Sequence, residues 1–435
     1  MSRRNPSSIV VRLVAVAVTV AVASAAFVAC VACSVCRPAR ELASASSASS
    51  ASSPLPSASF SLLPSGSREQ AEARRTRLGA SFQREVERVC AALKLPGMTA
   101  AYALPNGVVG GAAAGYADLE RHTSMTMRSR MLAASVGKSF VAATALALAQ
   151  EGALDLDAPI ATVLSDRAWL SRLPNYDTIT TRHLLMHASG LPDHVHRPEF
   201  ARDVALHWRD LDRAFSPETL VEYVFDGPAL FPAGQGWSYS DTGYILVGLI
   251  IEKTTGRPYE EALVRRFLEP LGLDATTPSN RRVLPGLATG YTAAENPLGL
   301  PAKTTTAPGV MAWDPAIEWT GGGLVSTPRD LVVWARALYE GRALPTSDVD
   351  DLMRSVAVGS EDSGVRYGAG VAIHQRTVLG PSYGHGGTIP GYVSSMRYYP
   401  RYGFAVAFQI NTDVDVTDSV TDIERRLAEI VAHGE

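Results

Sequence analysis

A serine and a lysine stand three positions apart at the start of a long apolar run. Ser135 and Lys138 open a segment that stays almost entirely apolar as far as Gln150. Residues three apart in a helix share one face, and a buried ammonium is costly unless another group uses it. Free N–H groups at a helix start can also stabilise a developing oxyanion. The pair predicts an activated serine nucleophile, and the alternative is an N-cap serine beside a lysine that extends to solvent.

Two further stretches place polar side chains beside aromatic residues or glycines. Tyr239 and Asp241 lie in a Trp-Ser-Tyr-Ser-Asp segment just before another apolar helix pattern. His385 is followed by two glycines beside a predicted strand, where the backbone can approach a ligand closely. A serine nucleophile needs a base within hydrogen-bond reach and donors aimed at the oxyanion. These stretches are the candidate sources of both.

Taken together, the three stretches resemble motifs of a known superfamily. The chain is similar to the serine β-lactamase and penicillin-binding superfamily, in the class C-like branch that includes DD-carboxypeptidases, D-aminopeptidases and esterases. Ser135-Val136-Gly137-Lys138 resembles the nucleophile motif of that branch. Tyr239-Ser240-Asp241 stands where the branch has Tyr-x-Asn, and His385-Gly386-Gly387 stands where it has Lys-Thr-Gly or His-x-Gly. The resemblance covers about residues 80–412, with the motifs in the same order.

The resemblance implies a role for each motif residue. Ser135 would form an acyl-enzyme, and Lys138 and Tyr239 would share the role of base. The backbone N–H groups of Ser135 and Thr388 would stabilise the oxyanion. The residues expected to contact the substrate are Asp241, His385, Gly386 and Gly387.

Two of these residues depart from the pattern of the branch. Asp241 replaces an amide that in relatives helps to orient substrate and lysine, and its alternative role is to cap the following helix. His385 replaces the lysine of class C β-lactamases. An unperturbed histidine has a pKa of about 6.5, so His385 would be mostly neutral at pH 7.5 and charged at lower pH. We therefore expect His385 to favour neutral substrates and to read substrate charge as it titrates.

The expected function is hydrolysis of an ester or amide by a serine enzyme, closer to a DD-peptidase or esterase than to an efficient β-lactamase. One alternative is a true class C-like β-lactamase, and another is a penicillin-recognising sensor without turnover. A zinc hydrolase is the third, because five potential ligands lie close in sequence, although the spacing lacks the Glu of His-Glu-x-x-His. These potential ligands are His183, His187, Asp193, His194 and His196. We expect no cofactor and no metal, and a small-molecule or peptidoglycan-peptide substrate.

The element patterns predict an α/β (α+β) fold. A helix containing Phe82 and a hairpin at Asn106-Gly107 precede the serine, and three strand patterns follow residue 367. Both chain ends would therefore build one antiparallel sheet flanked by helices. The middle of the chain would form a mostly helical lobe, with the active-site cleft between lobe and sheet.

The front of the chain differs in composition from the rest. Residues 1–36 combine early arginines with a long uncharged apolar run, which indicates an export signal or a membrane or lipid anchor. Residues 37–70 read as a flexible Ala/Ser/Pro-rich linker, and residues 71–435 as the hydrolase domain. We expect an extracytoplasmic protein, anchored through a transmembrane or lipoprotein segment rather than freely secreted. A net charge of −3 argues against nucleic-acid binding, and the oligomeric state stays open.

Overall fold

The computed structural model describes residues 65–210 and 215–434. The predicted anchor 1–36 and most of the predicted linker 37–70 lie outside the described residues. The first helix begins at Ser65, inside the predicted linker, so the folded part starts earlier than residue 71. None of the helices within the two described ranges combines the length and the hydropathy that a membrane crossing requires.

A nine-stranded antiparallel sheet forms the centre of the molecule. The strands, in chain order, are β1 (Gly97–Ala103), β2 (Val109–Asp118), β3 (Thr123–Ser124), β4 (Met131–Leu132), β5 (Thr277–Pro278), β6 (Thr305–Ala307), β7 (Val310–Met311), β8 (Leu324–Ser326), β9 (Val356–Ala357), β10 (Val365–Tyr367), β11 (Ala372–His374), β12 (Ser382–Ile389), β13 (Tyr392–Tyr399) and β14 (Phe404–Ile410). The order across the large sheet is β3-β2-β1-β14-β13-β12-β11-β10-β9. The two chain ends meet at its middle, where β1 pairs with β14, and this confirms the predicted sheet.

Helices cover both faces of the sheet and build the rest of the chain. In chain order they are α1 (Ser65–Ala92), α2 (Lys138–Gln150), α3 (Thr181–Leu185), α4 (Pro198–His207), α5 (Pro217–Glu222), α6 (Asp241–Thr255), α7 (Tyr259–Leu263), α8 (Glu269–Leu271), α9 (Pro328–Tyr339), α10 (Thr346–Met353) and α11 (Val420–His433). Helices α1 and α11 share one apolar core with β1 and β14, and α9 packs on β1, β13 and β14. The helices from α2 to α8 form the predicted helical lobe.

The helix that follows the candidate nucleophile is fixed between the lobe and the sheet. Its residues from Lys138 to Leu148 are all buried, as their apolar sequence requires. Phe140 stacks on Trp334 of α9 with ring centroids 3.9 Å apart, and the Trp334 indole N–H donates to the Ser139 hydroxyl at 2.9 Å. Helix α2 also packs on α6. The start of α2 is thereby held at the junction of the two halves.

Candidate active site

The candidate nucleophile lies on a tight turn. Ser135 belongs to the 3-10 turn Ala134–Gly137, immediately before α2. Ala134 has a φ of 49°, a left-handed conformation that non-glycine residues rarely adopt and that is common at functional sites. A Cβ on Gly137 would lie 2.3 Å from the carbonyl oxygen of Gly322, so only glycine allows this approach. The Ser135 hydroxyl caps no helix, which rules out the alternative of an N-cap.

Lys138 is buried completely and its ammonium faces three oxygen atoms. Its Nζ donates to Ser135 Oγ at 3.0 Å, to the Asp241 carboxylate and to the carbonyl oxygen of Gly321. Burial alone would lower the pKa of Lys138, but the Asp241 charge and the neighbouring Tyr239 outweigh it and raise the pKa above its usual value. Lys138 is therefore protonated in this arrangement and does not extend to solvent.

Asp241 is the counter-ion of Lys138 and also lines the cavity that contains Ser135. It is the first residue of α6, but the cap of that helix is Ser240, whose hydroxyl accepts the N–H of Gly243 at 3.3 Å. The alternative role of Asp241 as the helix cap is wrong, because the preceding serine already fills it.

Tyr239 places its ring beside the ammonium group. Lys138 Nζ lies 4.9 Å from the centroid of the Tyr239 ring. The Tyr239 hydroxyl oxygen is buried and has no hydrogen-bond partner within residues 65–210 and 215–434. Burial raises the pKa of Tyr239, and the Lys138 ammonium offsets only part of that effect. An unpartnered buried hydroxyl next to a serine and a lysine is a group that a reacting substrate can engage.

His187 holds the chain on both sides of Tyr239. Its Nδ1 accepts the N–H of Ser240 at 3.2 Å, and its carbonyl oxygen accepts the N–H of Ser238 at 3.0 Å. Its ring lies against the Tyr239 ring, with centroids 4.1 Å apart. His187 itself has a φ of 56° and is buried. The position of the tyrosine therefore depends on this histidine.

Strand β12 brings the third motif against the nucleophile turn. A Cβ on Gly387 would lie 2.5 Å from the carbonyl oxygen of Ala133, so glycine is needed for the crossing. The Ser394 hydroxyl on β13 donates to the same carbonyl oxygen at 2.5 Å. Thr388 lines the same cavity as Ser135, and the role of its N–H group in an oxyanion site stays a prediction.

The His385 ring bonds to other groups of the protein, so it does not have the substrate-binding role that its motif predicts. Its Nδ1 contacts the carbonyl oxygen of Gly386, so Nδ1 must carry the hydrogen, and Nε2 accepts from the Tyr367 hydroxyl at 2.7 Å. Burial, reinforced by the Lys138 charge, lowers the pKa of His385 to about 3. The expectation that His385 titrates near pH 6.5 and reads substrate charge is wrong, since burial keeps the ring neutral and both of its nitrogens are already used.

Three histidines of the zinc alternative have their Nδ1 atoms beside other groups of the protein, and the remaining one, His196, has its Nε2 4.0 Å from Asp193. His183 Nδ1 accepts the N–H of Thr180 at 3.3 Å, and His194 Nδ1 lies 3.1 Å from the Thr242 hydroxyl. His187 Nδ1 accepts the N–H of Ser240. Across the described part of the chain, no three or more His, Cys, Asp or Glu side chains are grouped as metal ligands. The zinc alternative thus finds no ligand set among these residues.

A cavity of about 160 Å³ opens in front of Ser135. Asp241, Gly321 and Thr388 line it together with Ser135. Most of the remaining wall is apolar or aromatic and comes from the helical lobe and the loops before α9. These residues include Phe200, Trp208, Phe215, Leu300, Trp313 and Ile317.

Comparison with known proteins identifies the family. A sequence model of the family described as Beta-lactamase matches residues 82–429. This chain belongs to the β-lactamase family. Penicillin-binding protein 4 of Amycolatopsis lactamdurans is 29% identical over 323 residues, which cover 70% of this chain and 77% of that protein. The D-aminopeptidase of Gluconobacter oxydans (strain 621H) is 27% identical over 311 residues, which cover 68% of this chain and 52% of that protein.

The fold of the β-lactamase family is also found by structural comparison. The crystal structure of a D-stereospecific amidohydrolase from Streptomyces sp. aligns with a TM-score of 0.68 and 29% identity, covering 80% of this chain and 98% of that chain. The predicted resemblance and fold class are thereby confirmed, and the chain is a hydrolase of this family.

Three residues of the site lie outside the motifs that indicate the β-lactamase family. Tyr367 bonds His385 from β10, Gly321 accepts from Lys138, and Glu318 lines the cavity. Of these only Gly321 had a visible signal, since it begins a run of three glycines. The other two are recognisable only once the chain is folded.

Proposed function

We propose that this protein is a serine hydrolase that cleaves an ester or amide through an acyl-enzyme on Ser135, in the manner of a DD-peptidase or esterase. The observation that carries the proposal is the 3.0 Å bond from Lys138 Nζ to Ser135 Oγ at the wall of the cavity. The relatives named above, a D-aminopeptidase and a D-stereospecific amidohydrolase, support amide substrates of this kind.

In this reaction the Ser135 oxygen attacks the substrate carbonyl carbon while its proton passes to the pair formed by Lys138 and Tyr239. The N–H groups of Ser135 and Thr388 would stabilise the negative oxygen, and the leaving group departs with the proton. Water then attacks the ester on Ser135 and releases the acid. Since Asp241 keeps Lys138 protonated at rest, the base forms only when the pair loses a proton.

Two observations favour this reading over efficient β-lactam hydrolysis. His385 is neutral where class C β-lactamases carry a lysine. In addition, no lysine or arginine is among the described residues that line the cavity. A substrate carboxylate would therefore meet no lysine or arginine among those described lining residues.

We further propose that the protein acts outside the cytoplasm, held to a membrane by residues 1–36, on a small molecule or a peptidoglycan peptide. The uncharged run from Leu13 to Cys36 supports the anchor. The resemblance of the motifs to those of the branch that includes DD-carboxypeptidases supports a peptidoglycan peptide as substrate.

The test is covalent labelling by a fluorescent fluorophosphonate. Wild type should label with and without a chelator, and Ser135→Ala should not label while its thermal unfolding stays unchanged. Labelling that persists in Ser135→Ala would show that another residue is the nucleophile, and loss of labelling with the chelator would favour the zinc alternative. Turnover of a p-nitrophenyl ester, a D-Ala-D-Ala peptide and a chromogenic cephalosporin then separates esterase, peptidase and β-lactamase.

A further inference from the structure

One carboxyl group in the cavity wall has an oxygen atom without a partner among the described residues. Glu318 lies between the 3-10 turns Pro315–Ile317 and Trp319–Gly321. Its Oε2 is buried without a hydrogen-bond partner in the described ranges, a state that needs an explanation in a native structure. Its Oε1 lies 2.8 Å from where a Cβ on Gly322 would stand, and Gly322 contacts the nucleophile turn. The carboxyl group is therefore close to the reacting centre.

The surroundings of Glu318 suit a cation that carries an apolar group. The cavity wall is largely aromatic, and no lysine or arginine is among its described lining residues. The ammonium group of Lys138, which lies near the cavity, is already paired with Asp241. A second cation entering this cavity would thus meet an unpaired carboxyl group and aromatic faces rather than an uncompensated positive charge.

Glu318 can lose a proton and become negatively charged when such a cation binds. Burial raises the pKa of Glu318 to about 8, with Lys138 opposing and Asp241 reinforcing the effect. Burial lowers the pKa of the facing His194 to about 4, so this histidine is neutral. The remaining titratable residues that line the cavity are His207, Asp210, Asp241 and Asp314. In the empty cavity Glu318 is mostly protonated at pH 7, and an ammonium beside it would favour the carboxylate and release a proton.

We propose that Glu318 binds a protonated amine of the substrate, and that the cavity takes an acyl group combining this amine with a bulky apolar side chain, as an aromatic amino-acid amide or ester does. The inference rests on the proposed function, because it places the acyl group in the cavity in front of Ser135. It assigns to Glu318 a binding role that no motif indicates.

The test compares two ligands of matched size by calorimetry on the full chain, 2-phenylethylamine and 2-phenylethanol. At pH 7 the amine should bind wild type about tenfold more tightly than the alcohol, as expected for a charge-assisted bond reduced by the cost of deprotonation. That preference should grow about tenfold between pH 7 and pH 9 as Glu318 ionises. Titrations in two buffers of different ionisation heat should show close to one proton released per amine at pH 7 and almost none at pH 9.

Two variants test whether Glu318 causes the preference for the amine. In Glu318→Gln the two affinities should converge and proton release should disappear. Asp314→Asn is the matched control, because Asp314 lines the same cavity but its Oδ1 already accepts the N–H of Ala316 at 3.0 Å. Asp314→Asn should keep most of the preference and the proton release.

Three results would overturn the assignment. The first is an equal affinity of wild type for the amine and the alcohol, and the second is a preference for the amine that survives in Glu318→Gln. The third is an equal loss of this preference in Asp314→Asn, which would indicate that the negative charge of the whole cavity, rather than Glu318, attracts the amine. If Glu318→Gln does not fold, Glu318→Met replaces it, because this change also removes the carboxyl group at a similar side-chain size and should likewise abolish the preference for the amine and the proton release. Ligand binding needs no turnover, so this inference can fail while Ser135 still labels.

Discussion

The Lys138–Asp241 ion pair can be tested by a change of a single charge. Asp241→Asn keeps the shape and one oxygen acceptor, and it restores the amide that the class C-like branch has at this place. Lys138 is fully buried and the Asp241 side chain is 22% exposed, so solvent screens the pair only weakly. The variant therefore removes the charge that keeps Lys138 protonated while leaving the burial that opposes protonation.

The size of the effect follows from the contact. Two unit charges about 4 Å apart at an effective dielectric constant of about 20 interact by about 4 kcal/mol, which corresponds to about 3 pH units. Removing the Asp241 charge should lower the pKa of Lys138 by an amount of this order. A base would then be available closer to neutral pH, and the rising limb of kcat/KM against pH should move down by about 2–3 pH units.

The assay is the pH profile of kcat/KM from pH 5 to 10 with a neutral p-nitrophenyl ester, for which substrate charge does not change. Asp330→Asn is the control, because Asp330 is a buried carboxylate bonded to Ala275 and Thr276 rather than to Lys138. Its rising limb should stay in place. A rising limb that stays in place in Asp241→Asn as well would refute the assignment of Asp241 as the group that sets the charge of Lys138.

The same variant should lower stability over the pH range in which Lys138 is charged. In wild type the folded pKa of Lys138 lies above its unfolded value of about 10.4, so the contribution is complete below that pH and is lost only as pH rises through the folded value. In Asp241→Asn a drop of about 3 pH units would bring the folded pKa close to the unfolded value, so this contribution should be largely lost. The free energy of unfolding in urea should then be lower than in wild type, by a similar amount at pH 7 and at pH 9. An unchanged free energy of unfolding would contradict this.

Three further outcomes are expected. Lys138→Ala and Tyr239→Phe should each lower kcat by about 100-fold or more, and the double variant should lose less than the product, because the two act as one unit. His187→Ala should lower kcat by about tenfold with little change in KM, since a buried N–H loses its acceptor, and His187→Asn should recover part of it through its side-chain oxygen. An unchanged kcat in His187→Ala would show that Tyr239 is positioned without it. In Glu318→Gln, which lacks the carboxyl group that changes charge in this range, KM for an anionic ester should not fall relative to a neutral one between pH 8 and pH 6, because His385 stays neutral; a selective fall in that variant would show that His385 or another group gains positive charge.

The parts of the site that could be predicted are those encoded locally. Ser135 and Lys138 are three residues apart, so their contact follows from helix geometry alone. The sheet followed from strand patterns at both chain ends and from the Asn106-Gly107 turn. Charge states could not be predicted in this way, because they depend on neighbours that are distant in sequence.

Asp241 illustrates the limit. It reaches Lys138 across 103 residues, and the adjacent Ser240 was an equally good cap for the helix, so its sequence position favoured neither role. The charge state of His385 depends on its burial and on its bond to the Tyr367 hydroxyl on another strand. The motif sequence predicts neither of these. Glu318 has no motif of its own and becomes notable only because folding leaves one of its carboxyl oxygens without a partner among the described residues.

The reacting groups and the aromatic wall of the cavity belong to different elements, and this affects how mutations can change the enzyme. The reacting groups stand on elements locked into the core, since α2 is tied to α9 through Phe140 and Trp334. The aromatic wall is supplied largely by other elements, such as α4 with Phe200 and the loop with Trp313. Substitutions in that wall can alter the shape of the acyl cavity without moving Ser135. We expect new substrate preferences to arise there, by mutation in nature or in the laboratory, while the chemistry stays the same.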